Sequence, residues 1–435
     1  RLLAPSKDGH KLASHQQASP PKAMEKGTAA PGSAKQVRVA FFASAEHGHN
    51  TPMLALAHEL RQVCPDVKLY WATDSKEKKA ALTAGAEWVP LEYHFDKTLG
   101  SDLPAPGRQL HVAARHFEAV SAWLCEVRPQ VVIYDYFCIV APLACGKLGI
   151  PCVCFRSGQP AEQPKSCPAD LIDLQKEQAQ LLKERFNVAA DWQAPFVEML
   201  STELNILQVP LTWLGAARER YEPCATIGPS IVPRPLSDED EALLAELDAP
   251  GSSFRVLISM GTVQGQKAQP EIEDQQALFQ IFADAARLLP EARVVLSISG
   301  TAGAVDAEKL RAPSNCLVRE FIPQLAVLQR VDCFLSHCGA NSMHEALWAG
   351  VPILGVPIFG DQPGNAQRIE DNGWGRQRRW QELTPEMVAN DLRELALSPA
   401  IRTALCQAQA LEQEAIASRT PVAEKILELA RRQEQ

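Results

Sequence analysis

Residues Ser336–Gln362 read SHCGANSMHEALWAGVPILGVPIFGDQ, and the apolar run Cys333–Ser336 leads into them with the length of a buried strand. A turn at Gly339 follows, then a helical pattern from about Ser342 to Ala349 and a second short apolar run, Pro352–Val356. Strand, turn, helix, strand in so short a stretch is a βαβ unit, which lays its two strands parallel in one sheet. The turn sets a helix N-terminus at the C-terminal edge of a strand. Unpaired backbone N–H groups and the positive end of the helix dipole make that point an anion site, to which His337 and Ser342 can add donors. Ser342-Met-His-Glu345 also fits the S-x-x-E capping box, in which both side chains only satisfy the helix end.

Outward from this unit the same alternation recurs. On the C-terminal side, helical patterns cover about 363–371, 385–397, 400–417 and 421–433. Upstream, strands are expected at Phe254–Ser259, Arg293–Ser297 and Cys316–Arg319, with a helix over Ile272–Leu288. A second series begins at Val37–Ala43 and runs through strands at Val67–Thr73, Val131–Tyr134, Cys152–Phe155, Asn205–Val209 and Ala225–Ile227. Its helices are Pro52–Val63, Lys76–Ala84, Gln109–Val127 and Ile139–Leu148, and a later amphipathic one covers Leu171–Phe186. The expected fold class is α/β: two Rossmann-like, doubly wound parallel-sheet domains facing a cleft, with ligands at the C-terminal strand ends.

The expected domains are an N-terminal one over 36–230, a Pro-rich and acidic linker over 231–252, and a C-terminal one over 253–435. The last helix, about 421–433, is expected to pack back on the N-terminal domain. Residues 1–35, rich in Ala, Ser, Pro, Lys and Gln without apolar periodicity, read as a flexible extension. Their composition also suits a transit-type segment, except that Arg1 is their only arginine.

The length, 435 residues, suits two cores rather than one. A net charge of −9 argues against nucleic-acid binding through a general positive field, so an anionic ligand must be held by local devices. Twelve cysteines without a CxxC pair point to reduced, buried thiols and a cytoplasmic protein. The most apolar stretch, Val131–Phe155, is broken by Asp135, Pro142, Lys147 and Pro151, so no transmembrane segment is expected. No metal is expected either: Asp238-Glu-Asp240 has a D-x-D spacing but lies in an acid run that reads as a solvated helix start. The sequence sets no oligomeric state.

In the first series, His47-Gly-His-Asn-Thr-Pro52 follows the first strand, and Asp135 ends the Val131–Tyr134 strand. A histidine and an aspartate from two strand ends can meet as a base and its orienting partner. On spacing alone, a turn residue at His49 and a helix N-cap at Asp135 serve equally well.

His337, Gly339, Asn341, Ser342, Glu345, Gly350, Pro352, Pro357, Asp361 and Gln362 together resemble the donor-binding signature of the UDP-dependent glycosyltransferases of family 1, which have the GT-B fold. Phe321-Ile-Pro-Gln324 is similar to that signature's start, with Phe321 where Trp is usual. Ser259-Met-Gly-Thr262 is similar to the family's turn beside the diphosphate, and Gly48-His49-x-x-Pro52 to its catalytic turn. The style is that of the bacterial macrolide-type, natural-product branch, and the likeness runs from about 37 to 433.

The resemblance implies a role for each residue. His49 is the catalytic base and Asp135 its partner, with His47 beside them. Phe321, Pro323 and Gln324 face the uracil; Gly261, Thr262, His337, Gly339, Asn341 and Ser342 face the diphosphate. Glu345 takes the ribose hydroxyls, and Asp361 and Gln362 read the sugar. A helix N-cap is the alternative role for Asp361. The implied activity is inverting transfer of a hexose, leaning to glucose, from a UDP-sugar to a hydroxyl of an apolar small molecule. The UDP-sugar is a co-substrate, and no cofactor is called for. The rival readings are a lipid or sterol glycosyltransferase at a membrane surface, a non-catalytic nucleotide-sugar-binding protein, and a UDP-sugar epimerase.

Overall fold

The computed structural model describes residues 36–44, 47–91, 105–158, 169–190, 199–232, 235–261, 274–298 and 305–432. The expected extension 1–35, Thr262 and much of the irregular sequence at 92–104, 159–168 and 191–198 lie outside them.

The first domain runs β1 (Arg38–Phe42), α1 (His47–Val63), β2 (Lys68–Thr73), α2 (Lys78–Thr83), β3 (Glu87–Pro90), α3 (Ala105–Val127), β4 (Val131–Asp135), α4 (Val140–Leu148), β5 (Cys152–Arg156), α5 (Ala169–Phe186), β6 (Asn205–Leu207) and β7 (Cys224–Thr226). All seven strands are parallel, in the order β3-β2-β1-β4-β5-β6-β7. Every residue of β4 and all but the first of β1 are buried. Strands covered by helices on both faces read as unbroken Val, Ile and Phe runs rather than as alternation.

The second domain runs α6 (Asp238–Asp248), β8 (Phe254–Ser259), α7 (Gln275–Arg287), β9 (Ala292–Ser297), β10 (Cys316–Arg319), α8 (Gln324–Leu328), β11 (Cys333–Ser336), α9 (Ala340–Ala349), β12 (Ile353–Gly355), α10 (Gln362–Asp371), β13 (Gly375–Gln377), α11 (Pro385–Leu397), α12 (Pro399–Ala417) and α13 (Arg419–Arg432). Its sheet is also wholly parallel, ordered β10-β9-β8-β11-β12-β13. Two doubly wound parallel sheets are the fold class the sequence predicts. In each, strand order reverses at one point, between β1 and β4 and between β8 and β11, and there the C-terminal edges open a crevice for ligands.

Helix α13 belongs by sequence to the second domain and by packing to the first. Val422, Ala423, Ile426, Leu427, Leu429 and Ala430 share a buried cluster with β1 and α1 residues such as Val39, Phe41 and Leu56. At its start, buried Arg419 donates to the carbonyls of Ile227 (2.9 Å), Ile231 (3.1 Å) and Pro229. Desolvation pulls the pKa of this guanidinium down to about 10, so it stays charged at neutral pH.

Within the segment read as a linker, residues 238–248 form α6. Ser237 and Asp240 close a capping box at its start, and Leu243, Leu244 and Leu247 are buried against the second domain. The D-x-D acids are thus a helix start. Among the described residues no helix is long and apolar enough to cross a membrane, and no group of three or more His, Cys, Asp or Glu side chains is arranged to hold a metal ion. The described cysteines are all free. Burial pushes the Cys154 and Cys316 thiols up to about 12, which keeps them in the unreactive thiol form.

Candidate active site

At the reversal point of the first sheet, β1 and β4 lie side by side and their ends bring His49 and Asp135 together. His49 is in the first turn of α1, which begins at His47, earlier than the sequence pattern predicts. Its Nδ1 lies 2.8 Å from Asp135 Oδ2. Asp135 is 0% exposed, and its other oxygen accepts the backbone N–H of Phe137 (2.9 Å). That turn bond and the His49 pair occupy the carboxylate; α4 starts later, after Ile139, so Asp135 is not its N-cap. The histidine ring stacks on Phe137 (centroids 4.6 Å apart, planes at 23°) and more loosely on Tyr136 (5.4 Å, 28°). With Nδ1 turned to the carboxylate, Nε2 is the nitrogen on the far side of the ring. A side chain only 18% exposed is thereby held in one ring orientation.

Ser157, just past β5, completes the group and was not singled out by sequence. Its Oγ is 3.0 Å from His49 Nδ1 and 3.4 Å from Asp135 Oδ2. The only signal for it is its position, one residue beyond a parallel strand's C-terminal end.

Across the cleft, His337 follows β11 and is buried between two glycines. A Cβ on Gly261 (φ +75°) or on Gly339 would overlap its imidazole, so both positions demand glycine. Cys338, between His337 and Gly339, takes a left-handed backbone (φ 64°), which turns the chain sharply into α9. Desolvation lowers the pKa of His337 from 6.5 to about 4, so at neutral pH it is a neutral hydrogen-bond donor rather than a cation. Its Nδ1 is buried without a hydrogen-bond partner.

The sign of that shift gives a stability test. Below about pH 6.5 the unfolded chain takes up a proton that the folded imidazole refuses until about pH 4. The protein therefore loses stability from this group as pH falls through that window, on the order of 3 kcal/mol in all. Urea midpoints at pH 7 and pH 4.5 are expected to differ less in His337→Gln than in the unaltered protein; equal differences would remove His337 as the cause.

Helix α9 starts at Ala340 with Gly339 as its N-cap and no side-chain capping bond. This excludes the capping-box reading: Ser342 lies two residues inside the helix, and buried Glu345 instead accepts from Gln324 Nε2 (2.6 Å). Gln324, the first residue of α8, also reaches Ser342 Oγ (3.3 Å), so it braces the two residues rather than standing apart from them. Pro323 is the N-cap of α8, and nearby Phe321 stands 69% exposed.

Asp361 is the N-cap residue of α10, but its side chain makes no capping bond to the helix backbone; its Oδ2 accepts from Asn365 Nδ2 (2.9 Å). Buried Gln362 accepts the backbone N–H groups of Ile358 (2.9 Å) and Phe359 (3.2 Å) on its Oε1, which leaves its amide nitrogen as the end able to donate elsewhere. Asn341 reaches out of its domain altogether: Nδ2 donates to Gly48 O (3.0 Å), and Oδ1 accepts from Gln208 Nε2 (2.7 Å). The start of α9 is thereby fastened beside His49.

This arrangement offers a held base on one wall. On the other it offers a helix N-terminus, a neutral imidazole and an exposed aromatic ring. Residues 243–410 match the family model described as UDP-glucoronosyl and UDP-glucosyl transferase. The chain is 26% identical over 366 residues to the NDP-glycosyltransferase YjiC of Bacillus licheniformis, covering 80% of this chain and 86% of that protein. It is 24% identical over 413 residues to the demethyllactenocin mycarosyltransferase of Streptomyces fradiae, covering 86% and 82% respectively. The crystal structure of the glycotransferase of kitacinnamycin shares the fold with a TM-score of 0.71, at 23% identity over 91% of this chain and 100% of that one. The family-model match over 243–410, the relatives along most of the chain and the paired-sheet fold agree: the chain is a transferase enzyme of the GT-B fold, similar to the UDP-dependent glycosyltransferases of family 1.

Proposed function

We propose that the protein transfers a hexose, glucose by preference, from a UDP-sugar to a hydroxyl of an apolar small molecule, with inversion at the anomeric carbon. The observation that carries this reading is the His49–Asp135 pair, 2.8 Å apart, fastened opposite the N-terminus of α9. An unactivated hydroxyl is a poor nucleophile near neutral pH. His49 Nε2 takes its proton as the oxygen attacks the anomeric carbon from the face opposite UDP, and Asp135 steadies the imidazolium that results. Negative charge grows on the leaving UDP. The backbone N–H groups of α9, Ser342 and neutral His337 receive it, and fixed dipoles aimed at developing charge commonly make the largest catalytic contribution. The reading calls for no metal or cofactor.

Phe321 supplies the uracil-stacking face and Glu345 the ribose contact, with Asp361 and Gln362 at the sugar. An aromatic wall of Phe137 and Tyr136 beside His49 favours an apolar acceptor. The relatives named for demethyllactenocin and kitacinnamycin support a natural-product acceptor in this chain too. A membrane-surface role finds less support, because Lys176 and Arg185 of α5 face the acids Asp173 and Glu118 (both 3.6 Å). Free cysteines accord with a reducing, cytoplasmic setting.

A donor panel of UDP-glucose, UDP-galactose, UDP-glucuronate and dTDP-glucose, run with a phenol and alcohol library in EDTA, tests the reading by mass shift. One hexose added from UDP-glucose is expected. Transfer from another donor alone overturns the sugar preference, and loss of transfer in EDTA overturns the metal-free mechanism.

A further inference from the structure

The contact between Asn341 and the first domain is one end of a longer chain of hydrogen bonds. Gln208 lies one residue beyond β6 and is 0% exposed. Its Oε1 accepts the backbone N–H of Gly158 (3.2 Å), and its Nε2 donates to Asn341 Oδ1 (2.7 Å). Asn341 Nδ2 then donates to Gly48 O (3.0 Å). Backbone groups of fixed polarity stand at both ends: an N–H at Gly158 and a carbonyl at Gly48. Neither amide can be turned around without setting oxygen against oxygen or N–H against N–H, so this one assignment satisfies the whole chain.

The Gly48 carbonyl is offered to Asn341 for a reason written in the sequence. In an α-helix it would accept the N–H four residues on, but that residue is Pro52, inside α1, which has no N–H. The helix therefore holds an unclaimed carbonyl next to His49, pointed at the other domain.

We infer that Gln208 is a positioning residue that fixes the amide orientation of Asn341 so that its nitrogen, and not its oxygen, faces the anion site at the start of α9. Asn341 Nδ2 carries two N–H groups. One is spent on Gly48, and the second, on the same nitrogen, is the one proposed to meet the donor's diphosphate. Without Gln208, Oδ1 loses its donor and the Gly48 carbonyl alone opposes the flip, so the orientation that sets an oxygen lone pair against phosphate is less disfavoured. The proposal rests on the UDP-sugar reading of that site and adds to it a residue of the acceptor domain that tunes donor binding.

The test is nucleotide binding by calorimetry, which needs no turnover. UDP and uridine are titrated into the unaltered protein, Gln208→Met and Gln208→Glu, with the thermal midpoint of each recorded. Gln208→Met keeps the volume and removes both polar ends. Gln208→Glu keeps the shape and the Gly158 bond but, ionised, turns an oxygen toward Asn341 Oδ1. Loss of an oriented hydrogen bond to a charged group is expected to weaken UDP roughly ten- to a hundredfold in Gln208→Met, and further in Gln208→Glu. Uridine, which stacks on Phe321 and carries no phosphate, keeps its affinity. Equal UDP affinity in the unaltered protein and a folded Gln208 variant overturns the proposal, as does a loss for uridine as large as for UDP. Failure of the unaltered protein to bind UDP overturns the donor reading along with it. If Gln208→Met does not fold, the isosteric Gln208→Glu carries the same comparison.

Discussion

His49→Ala is expected to lower kcat for sugar transfer by roughly a hundred- to ten-thousandfold. UDP affinity should stay within about twofold and the thermal midpoint nearly unchanged. The size follows from what is removed. In the proposed mechanism the ring takes the acceptor's proton, and its loss leaves the hydroxyl to attack unaided. The selectivity follows from where it sits: the side chains proposed to hold the donor, His337, Ser342, Glu345, Asp361 and Gln362, stand on the other domain, and the Gly48 carbonyl that holds Asn341 is a backbone group that Ala at 49 leaves in place. Asp135→Asn keeps the shape of the pair but removes the charge that stabilises the imidazolium, so it too should lower kcat more than it raises KM for donor. Steady-state rates with UDP-glucose and a reactive phenol decide this. A His49→Ala enzyme with unchanged turnover would remove His49 from the chemistry.

The second large effect is on stability. Ending the chain at Ser418 removes α13, and with it Val422, Ile426, Leu427 and Leu429 from the core they share with β1 and α1. Each such side chain contributes about 1.5–3 kcal/mol by leaving water, so together they rival the 5–15 kcal/mol that hold a typical domain folded. The truncated protein is expected to lose cooperative unfolding of its first domain. A milder change, Ile426→Ala, should cost about 2–5 kcal/mol. Because α13 follows the second domain in sequence but completes the first, the loss should appear in the first domain. Calorimetry of the truncated chain that shows two intact transitions would contradict this placement.

Much of this fold was legible in the sequence because its central strands are buried on both faces. Val131–Asp135 and Arg38–Phe42 are short unbroken apolar runs, and between such runs the helical stretches stand out. The elements that escaped are those that burial does not mark. β3, Glu87–Pro90, is an edge strand with only Val89 buried, and β13, Gly375–Gln377, is an edge strand with no buried residue. Leu211–Tyr221 winds as two short 3-10 pieces kinked at Gly215, too short to show a helical period, and it carries Trp213 across to stack on His344 (5.4 Å) of α9.

The site shows the same division. His49 and Asp135 were visible as polar residues at the ends of apolar strands, and the dense string after β11 marked the donor side. The start of α9 was misplaced because Ser342 and Glu345 imitate a helix cap, whereas the chain turns earlier through Cys338 and Gly339. Ser157 and Gln208 carried no local signal. A lone serine or glutamine after a strand becomes informative only when a side chain distant in sequence arrives beside it, His49 for Ser157 and Asn341 for Gln208.

The most direct measurement is the proton NMR spectrum of the glycoside formed from UDP-α-D-glucose and a phenol by the unaltered protein. Direct displacement driven by His49 yields the β-glucoside. An α-glucoside, or glucose released with no glycoside formed, would contradict single-step transfer by this pair.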